Sequence, residues 1–308
     1  MALEREMERN DWFGWERREA PQATFAQLEL AHSQRLVTSV EQLSEAGGGM
    51  IDPDTYTVQA SFRAARHAAG AAVEMTRALL AGEADRGFCA IRPSGHHAER
   101  DRAMGFCLFN NVAVAAASAI AEQDLERVFV LDWDVHHGNG TAEIFHARSD
   151  VLFASIHQSP LYPGTGRLDD DGSEEGEGYT INLPVPPGSG DELWLALMDQ
   201  VILPKAREFA PELILVSSGV DAHHSDPLAS CNLTTTAFKQ LAARTRDLAN
   251  ELRVPLGVVQ EGGYNPSVLA ECVGEILPSL ASEAPASAPE ETKEHPELVR
   301  RALAQYAI

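Results

Sequence analysis

The sequence predicts a single α/β domain, with a mostly parallel central sheet and helices on both of its faces. Short apolar runs with strand character alternate along the chain with longer stretches of helical periodicity, which is the pattern of such a fold. The 44% hydrophobic and 23% charged residues are typical of a globular chain and argue against disorder. A length of 308 residues allows one large or two ordinary domains, and the continuous alternation favours one.

The elements follow in a simple order. The segment to about Ser44 is charged and helix-prone, and the glycine run that starts at Gly47 marks a turn. An alanine-rich helix is predicted over 61–81. The predicted strands are 87–91, 128–131, 151–156, 179–183, 213–217 and 256–260, and the further helices are 111–122, 192–209 and 235–253. Residues 282–291 are rich in Ala, Pro, Ser and Glu, which predicts a flexible connector before a short helix over 296–306.

The net charge of −22 restricts the partners of the protein. It excludes nucleic-acid binding by phosphate neutralisation, disfavours an anionic membrane surface and favours cationic ligands. No apolar stretch approaches the roughly 18 to 20 residues of a membrane span, and the first residues are charged rather than apolar. The four cysteines form no C-x-x-C pair, so neither a thiolate zinc site nor a disulfide framework is predicted. We expect a cytoplasmic protein.

Unusual polar segments follow four of the predicted strands. They span residues 92–97, 132–140, 218–227 and 261–264. Because ligands of parallel sheets bind beyond the carboxyl ends of the strands, we expect these segments to meet at one rim.

Asp134 and His136 are the most informative pair on this rim. Residues two apart at the end of an extended segment point to the same side, so one carboxylate and one imidazole can reach a single metal. Asp226, held in a turn by Pro227, is a candidate third ligand. Two carboxylates and one imidazole leave a position open for water or substrate, as in a catalytic zinc site.

Two further features suggest acid–base and oxyanion chemistry. The adjacent His96 and His97 could form a plain polar loop, but a neutral imidazole there could take a proton from a metal-bound water and give it to a leaving amine. Tyr264 follows Gly262 and Gly263 and could pack as an ordinary aromatic residue. Flanking glycine allows its phenol to approach a substrate and donate to a developing oxyanion.

Four segments together resemble the zinc-dependent histone deacetylase superfamily, in particular class II-like bacterial deacetylases and histone deacetylase-like amidohydrolases. They read RPSGHHAERDRAMGFCLFNN, VLDWDVHHGNGTAEIF, SGVDAHHSDPLA and QEGGYN, in the order of the family. The resemblance implies one arginase-deacetylase domain over residues 1–280, followed by a connector and short helix over 281–308. It also implies hydrolysis of an N-acetyl amide to acetate and a free amine.

The resemblance implies a role for each matching residue. His97 would be the main general base and acid with His96 supporting the charge, and Tyr264 would be the transition-state tyrosine. The implied zinc ligands are Asp134, His136 and Asp226, the residues behind the histidines are Asp132 and Asn139, and the residues lining the substrate channel are Gly105, Phe106, Tyr162 and Gly263.

One or two structural potassium sites are implied as well. The first would use Asp132 and Ser155 with backbone carbonyls of Asp134, His136 and Ile156, and the second would use main chain near Phe145, Arg148 and Val151.

The chain departs from the family pattern in three places. Ser94 stands where a second Pro is usual, and Asn139 stands where class I members carry an Asp. An N-terminal H-P-E-x-P-x-R stretch is missing, so the loop segment at that side of the rim is shortened.

Several functions stay open at this stage. The leading hypothesis is a deacetylase acting on an acetylated lysine of a peptide or protein, and the nearest alternative is an acetylpolyamine amidohydrolase. A binuclear manganese ureohydrolase is a weaker alternative, since Asp221-Ala222-His223 is similar to the D-A-H motif of that family. An inactive acyl-lysine-binding module and assembly into a homo-oligomer also stay open.

Overall fold

A parallel sheet of six strands forms the centre of the protein, in a computed structural model that describes residues 2–287 and 296–307. The strands are β1 (Gly48–Met50), β2 (Tyr56–Val58), β3 (Arg86–Cys89), β4 (Val128–Asp132), β5 (Val151–Gln158), β6 (Thr180–Val185), β7 (Leu213–Ser218) and β8 (Leu256–Gln260). The spatial order is β3-β8-β7-β4-β5-β6, and every neighbouring pair is parallel. All six predicted strands are confirmed. The glycine run predicted as a turn opens a separate antiparallel hairpin of β1 and β2.

Helices connect the strands. They are α1 (Ala2–Arg9), α2 (Phe25–Ala31), α3 (Gln34–Glu45), α4 (Ser61–Leu80), α5 (Asn111–Gln123), α6 (Asn139–Phe145), α7 (Asp191–Leu197), α8 (Leu203–Phe209), α9 (Thr235–Leu252), α10 (Pro266–Ala281) and α11 (Glu297–Gln305). The helix predicted over 192–209 is interrupted by a π-helical turn at Met198–Ile202. The sequence analysis did not predict α10, which starts with an Asn265 side-chain cap and Pro266 in its first turn.

Alternating residues of the strands face two separate cores. In β4, Phe129 and Leu131 pack against the side that carries α7 to α11, whereas Val128 and Val130 pack against the side that carries α2 to α5. A strand buried on both faces shows no polar alternation, which explains its continuous apolar run in the sequence. The prediction of helices on both faces is confirmed.

The first part of the predicted connector is bound to α9. Arg246 donates to the backbone carbonyls of Ser279 and Ala284, and the carboxylate of Asp247 accepts from the amide of Ala286. Residues 282–287 are therefore held by hydrogen bonds, while 288–291 lie outside the described residues, so their flexibility stays a prediction. Among the described helices, none combines the length and the apolar character that crossing a bilayer requires.

Candidate active site

Three buried side chains meet at the carboxyl ends of β4 and β7. The ligand atoms of Asp134, His136 and Asp221 all lie within 4.8 Å of one another. His136 Nδ1 is 3.1 Å from Asp134 Oδ1 and 3.1 Å from Asp221 Oδ2. Two carboxylates and one imidazole are a donor set that fits a divalent metal such as zinc.

Glycines allow the backbone to approach these carboxylates. A Cβ on Gly219 would lie 2.0 Å from Asp134 Oδ2, and one on Gly262 would lie 2.2 Å from Asp221 Oδ2. The amide of Gly262 also donates to Asp134 Oδ2 at 2.8 Å. Burial disfavours ionisation of Asp134, but His96 and His136 outweigh it and lower the pKa of Asp134, whereas burial raises the pKa of Asp221 to about 6.

Asp226, the predicted third ligand, lies at the neighbouring turn. Its two carboxylate oxygens accept from the backbone amides of Leu228 (3.0 Å) and Tyr264 (2.7 Å). It is not among the three residues that cluster within 4.8 Å, where Asp221 takes the third place. Asp221 was predicted to lie in the rim segment 218–227 and in a D-A-H motif, but not beside His136.

Each of the tandem histidines has a polar partner behind it. His96 Nδ1 lies 3.0 Å from Asp132 Oδ2, and His97 Nδ1 lies 2.7 Å from Asn139 Oδ1. The side-chain nitrogen of Asn139 donates to the carboxylate of Glu99 at 2.7 Å. The side-chain oxygen of Asn139 therefore faces His97. His97 therefore donates through Nδ1 and leaves Nε2 as an acceptor.

The two histidines differ in charge. Burial disfavours protonation of His96, but Asp134 and Asp132 outweigh it and hold the pKa of His96 well above its usual value. Burial, helped by the adjacent charge on His96, holds the pKa of His97 well below its usual value. The ring centroids are 4.0 Å apart. A neutral imidazole thus lies beside a charged one.

Glu261 supports the loop that carries the histidines, and the sequence analysis missed this role. Its Oε2 accepts from the amides of Gly95 (2.6 Å) and His96 (3.3 Å), and its Oε1 accepts from the Ser217 hydroxyl at 3.2 Å. Burial raises the pKa of Glu261 to about 7. A carboxylate directly after β8 was the available signal, but only Tyr264 was interpreted in that segment.

Aromatic side chains border the histidines and Tyr264. Tyr162 contacts His97 edge-on with centroids 5.1 Å apart, and Phe106 contacts Tyr264 at 5.9 Å. Phe106 and Tyr162 are 45% and 37% exposed, so both reach the surface. Burial raises the pKa of Tyr264, which keeps its phenol protonated and able to donate.

The two predicted channel glycines have left-handed φ angles. A Cβ on Gly105, whose φ is +58°, would lie 2.5 Å from Cδ2 of His97. A Cβ on Gly263, whose φ is +143°, would lie 2.8 Å from a methyl carbon of Val220. Gly105 thus permits the close approach of the channel segment to His97, and Gly263 permits the turn that precedes Tyr264.

Two acidic side chains lie at this surface, and the sequence analysis had not singled them out. Asp52 and Asp54 follow β1. Thr55 lies between Asp54 and β2, and its hydroxyl accepts from the Phe106 amide at 3.0 Å. Burial raises the pKa of the Tyr162 phenol to about 12, and the charges of Asp54 and Asp52 add to this effect. The rim beside the aromatic residues therefore carries negative charge.

Asp132 and Ser155, the predicted potassium ligands, are register neighbours on β4 and β5. Both are fully buried. The Asp132 oxygens already face His96 and the amide of Asp134, and the Ser155 hydroxyl lies 2.9 Å from His157 Nδ1. Their role in holding potassium stays a prediction.

Comparisons with known proteins agree with this geometry. The family model described as histone deacetylase domain matches residues 2–280. The chain is 41% identical over 266 residues to a histone deacetylase-like amidohydrolase of Pseudomonas aeruginosa, covering 86% of this chain and 70% of that protein. It is 42% identical over 235 residues to a probable deacetylase of Archaeoglobus fulgidus, covering 76% of this chain and 65% of that protein.

A solved structure has the same fold. The crystal structure of the HDA15 HD domain superposes with a TM-score of 0.90 at 34% identity, covering 99% of this chain and 87% of that one. The chain spans 62% of the length of a third relative, the chloroplastic histone deacetylase 10 of rice, to which it is 41% identical over 85% of its own length.

Proposed function

Because the chain belongs to the histone deacetylase family, we propose that it is a zinc-dependent deacetylase that hydrolyses acetyl-lysine or a similar acetylated amine. One observation carries the proposal. A neutral His97, a protonated Tyr264, and the buried Asp134 and His136 with the carboxylates of Asp221 and Asp226 beside them lie at the same rim of the sheet. These groups are the base, the oxyanion donor and the metal ligands that amide hydrolysis requires.

Zinc would be held by Asp134, His136 and Asp226. Asp226 and His136 are each 7% exposed, whereas Asp221 is fully buried and accepts from the amide of Val135 at 2.9 Å. Asp221 lies 3.1 Å from His136 Nδ1, as a carboxylate that orients a metal-bound histidine does, and Asp226 holds the position that the family resemblance implies for the third ligand. When bound, zinc would polarise the acetyl carbonyl and lower the pKa of its water toward ~7.

His97 would move the proton. Its Nε2 accepts a proton from the attacking water and returns it to the leaving amine, while Asn139 keeps the Nδ1 proton in place. His96, charged beside Asp132 and Asp134, keeps His97 deprotonated before attack. The water oxygen bonds to the acetyl carbon and the C–N bond breaks, so the amine leaves with the proton that His97 took from water, and the acetic acid formed ionises to acetate.

Tyr264 would stabilise the negative charge that develops on the acetyl oxygen. Its phenol is protonated because burial raises its pKa. Loss of one such donor reduces turnover by about 10² to 10³. The adjacent hydrogen bond from the Tyr264 amide to Asp226 couples the position of this residue to the candidate ligand.

The channel suits a narrow, uncharged acylated chain that belongs to a molecule with positive charge outside the channel. Phe106 and Tyr162 provide aromatic walls, and Asp52 and Asp54 provide negative charge at the mouth. An acetylated lysine peptide or protein has this character, and an acetylated polyamine is the second candidate because the acidic rim favours its remaining amines. We also propose one or two structural potassium ions, the first at Asp132 and Ser155, and a cytoplasmic location.

The test compares acetate release from an acetyl-lysine peptide and from acetylated polyamines. The native protein, a chelated sample, Tyr264→Phe and the control Tyr56→Phe, whose side chain is exposed, are assayed side by side. We expect metal-dependent release that Tyr264→Phe reduces by about 10² to 10³ at unchanged zinc content and that Tyr56→Phe leaves intact.

The other outcomes point to the alternatives. Absence of release from every substrate with one zinc bound per chain would contradict the deacetylase proposal and favour a binding module. Two metals per chain with manganese-dependent urea formation would favour the ureohydrolase. The faster substrate decides between peptide and polyamine.

A further inference from the structure

The hydroxyl of Tyr306 joins three backbone groups from distant parts of the chain. It accepts from the amide of Asn182 at 2.8 Å and lies 3.1 Å from the carbonyl oxygens of both Leu168 and Asn182, to which its single proton can be donated. The side chain is buried, with 5% exposed. Tyr306 directly follows α11 and therefore links this last helix to the sheet.

Asn182 lies on β6, which is the edge strand of the sheet. Its one neighbouring strand is β5, so its outer amide and carbonyl groups need partners from elsewhere. The Tyr306 hydroxyl accepts from the Asn182 amide and shares its single proton between the carbonyls of Asn182 and Leu168. A phenylalanine at this position would leave a buried amide and a buried carbonyl without that partner.

Leu168 ends the segment that carries Tyr162. We call residues 159–168 the channel loop, because Tyr162 contacts His97 from this segment. Other side chains hold the loop as well: His137 Nδ1 lies 2.8 Å from the Thr165 hydroxyl, His157 Nε2 lies 2.9 Å from the Gly166 carbonyl, and Gln158 Nε2 donates to the Pro160 carbonyl at 3.4 Å. Tyr306 is the anchor at its carboxyl end.

The channel loop is not packed against α11 over most of its length. A cavity of about 580 Å³ lies between them, lined by Gly164, Thr165, Gly166 and Leu168 on one side and by Arg301, Ala304 and Gln305 on the other. Leu161 and Leu168 of the loop pack against the main core, whereas the part of the loop that faces this space is held by hydrogen bonds. Loss of an anchor would let the loop move into the cavity.

We propose that Tyr306 is a positioning residue for the channel wall, through which the last helix holds Tyr162 against the active site. The helix begins at Glu297, beyond residues 2–280 that match the family model. The family chemistry would thus depend on a segment outside the matched domain. The inference rests on the proposed function only in that Tyr162 lines the substrate channel.

Tyr306→Phe tests the proposal by two independent measurements on the full-length protein. Amide hydrogen exchange of residues 159–168 should become roughly fivefold faster, from the loss of one buried hydrogen bond. The KM for an acetyl-lysine peptide should rise by a similar factor, with kcat and zinc content little changed. Tyr179→Phe is the matched control, since its ring packs on Phe209 and its hydroxyl makes no hydrogen bond among the described residues.

The outcomes separate this inference from the proposed function. Unchanged exchange of the channel loop in folded Tyr306→Phe would overturn it, as would a parallel fall in kcat and zinc content with faster exchange throughout the molecule. If the native protein hydrolyses no substrate, the proposed function fails. An increase in amide exchange of Tyr306→Phe that is confined to the channel loop would still support the positioning role.

Discussion

At the scale of single residues, two carboxylates compete for the third place beside Asp134 and His136. Asp221 is closer to His136 Nδ1, at 3.1 Å, while Asp226 is joined to Tyr264 and borders the accessible side. Proximity to Asp134 and His136 favours Asp221 as the third ligand, and the family resemblance favours Asp226. The two residues can be distinguished by metal affinity.

We expect Asp226→Asn to weaken zinc binding more than Asp221→Asn does. Removing an orienting residue reduces metal affinity by about 10- to 100-fold, and removing a direct ligand should exceed this. Zinc affinity would be measured by competition with a chelator of known affinity, after circular dichroism has shown that both variants are folded. A larger loss for Asp221→Asn would assign Asp221 as the ligand.

At the scale of elements, one arginine holds the end of α10 and the following segment against α9. Arg246 is 1% exposed and donates to the carbonyls of Ser279 and Ala284, each at 2.6 Å. We expect Arg246→Met to lower the free energy of unfolding by about 3 kcal/mol, since the buried Ser279 carbonyl and the Ala284 carbonyl lose charged donors. Denaturant unfolding measures this.

Arg207→Met is the control for that measurement. Arg207 pairs with Glu251 at the surface, where an ion pair contributes less than about 1 kcal/mol. Equal losses for the two variants would show that the Arg246 contacts do not stabilise the fold.

His32 links the N-terminal helices to the loop of the tandem histidines. Its Nδ1 donates to the carbonyl of Glu99, and its Nε2 accepts from the amide of Asn110, both within 2.9 Å. Asn110 in turn caps α5 and bonds the Thr141 hydroxyl. Protonation of Nε2 would replace this acceptor with a second donor, so the folded state requires neutral His32.

His32 should make the protein less stable at acid pH. Burial lowers its pKa from 6.5 to about 4, so the folded state resists protonation that the unfolded state accepts. The stability that neutral His32 gives the folded state is fully present above pH 6.5. It is lost as the pH falls toward 4, by about 3 kcal/mol in total. The free energy of unfolding would be followed from pH 7 to 4 in the native protein and in His32→Gln.

The native protein should lose about 3 kcal/mol more than His32→Gln over that interval. His67→Gln is the control, because His67 is exposed. A pH dependence that His32→Gln leaves unchanged would contradict this account of His32.

At the scale of the whole molecule, the net charge of −22 should attract cationic substrates to the acidic rim. We expect kcat/KM for an acetyl-lysine peptide with flanking arginines to fall by about tenfold between low and 0.5 M salt, because salt screens this attraction. Steady-state assays at increasing sodium chloride measure it. A peptide with glutamines in place of the arginines is the control, and an equal salt effect on both would contradict the expectation.

Much of the fold was predictable because its signals are local. Strand and helix periodicities span a few residues, so all six strands of the main sheet and most helices were found. The hairpin of β1 and β2 was missed, since its strands are three residues each and two of the three residues of β1 are glycine. Helix α10 was also missed, although the Asn265 cap and Pro266 in its first turn are local signals of a helix start.

The sequence by itself determined the α/β order of elements and the four polar segments that meet at one rim. Only the tertiary structure decided which residues are in contact. Examples are Asp221 with His136, Glu261 with the histidine loop and Tyr306 with Asn182. These partners are 85, 165 and 124 residues apart in the chain. A hydrogen bond requires an approach to about 3 Å, which depends on strand register and on glycines that admit close backbone contact. Such contacts arise from the packing of the whole chain and leave no local periodicity in its sequence.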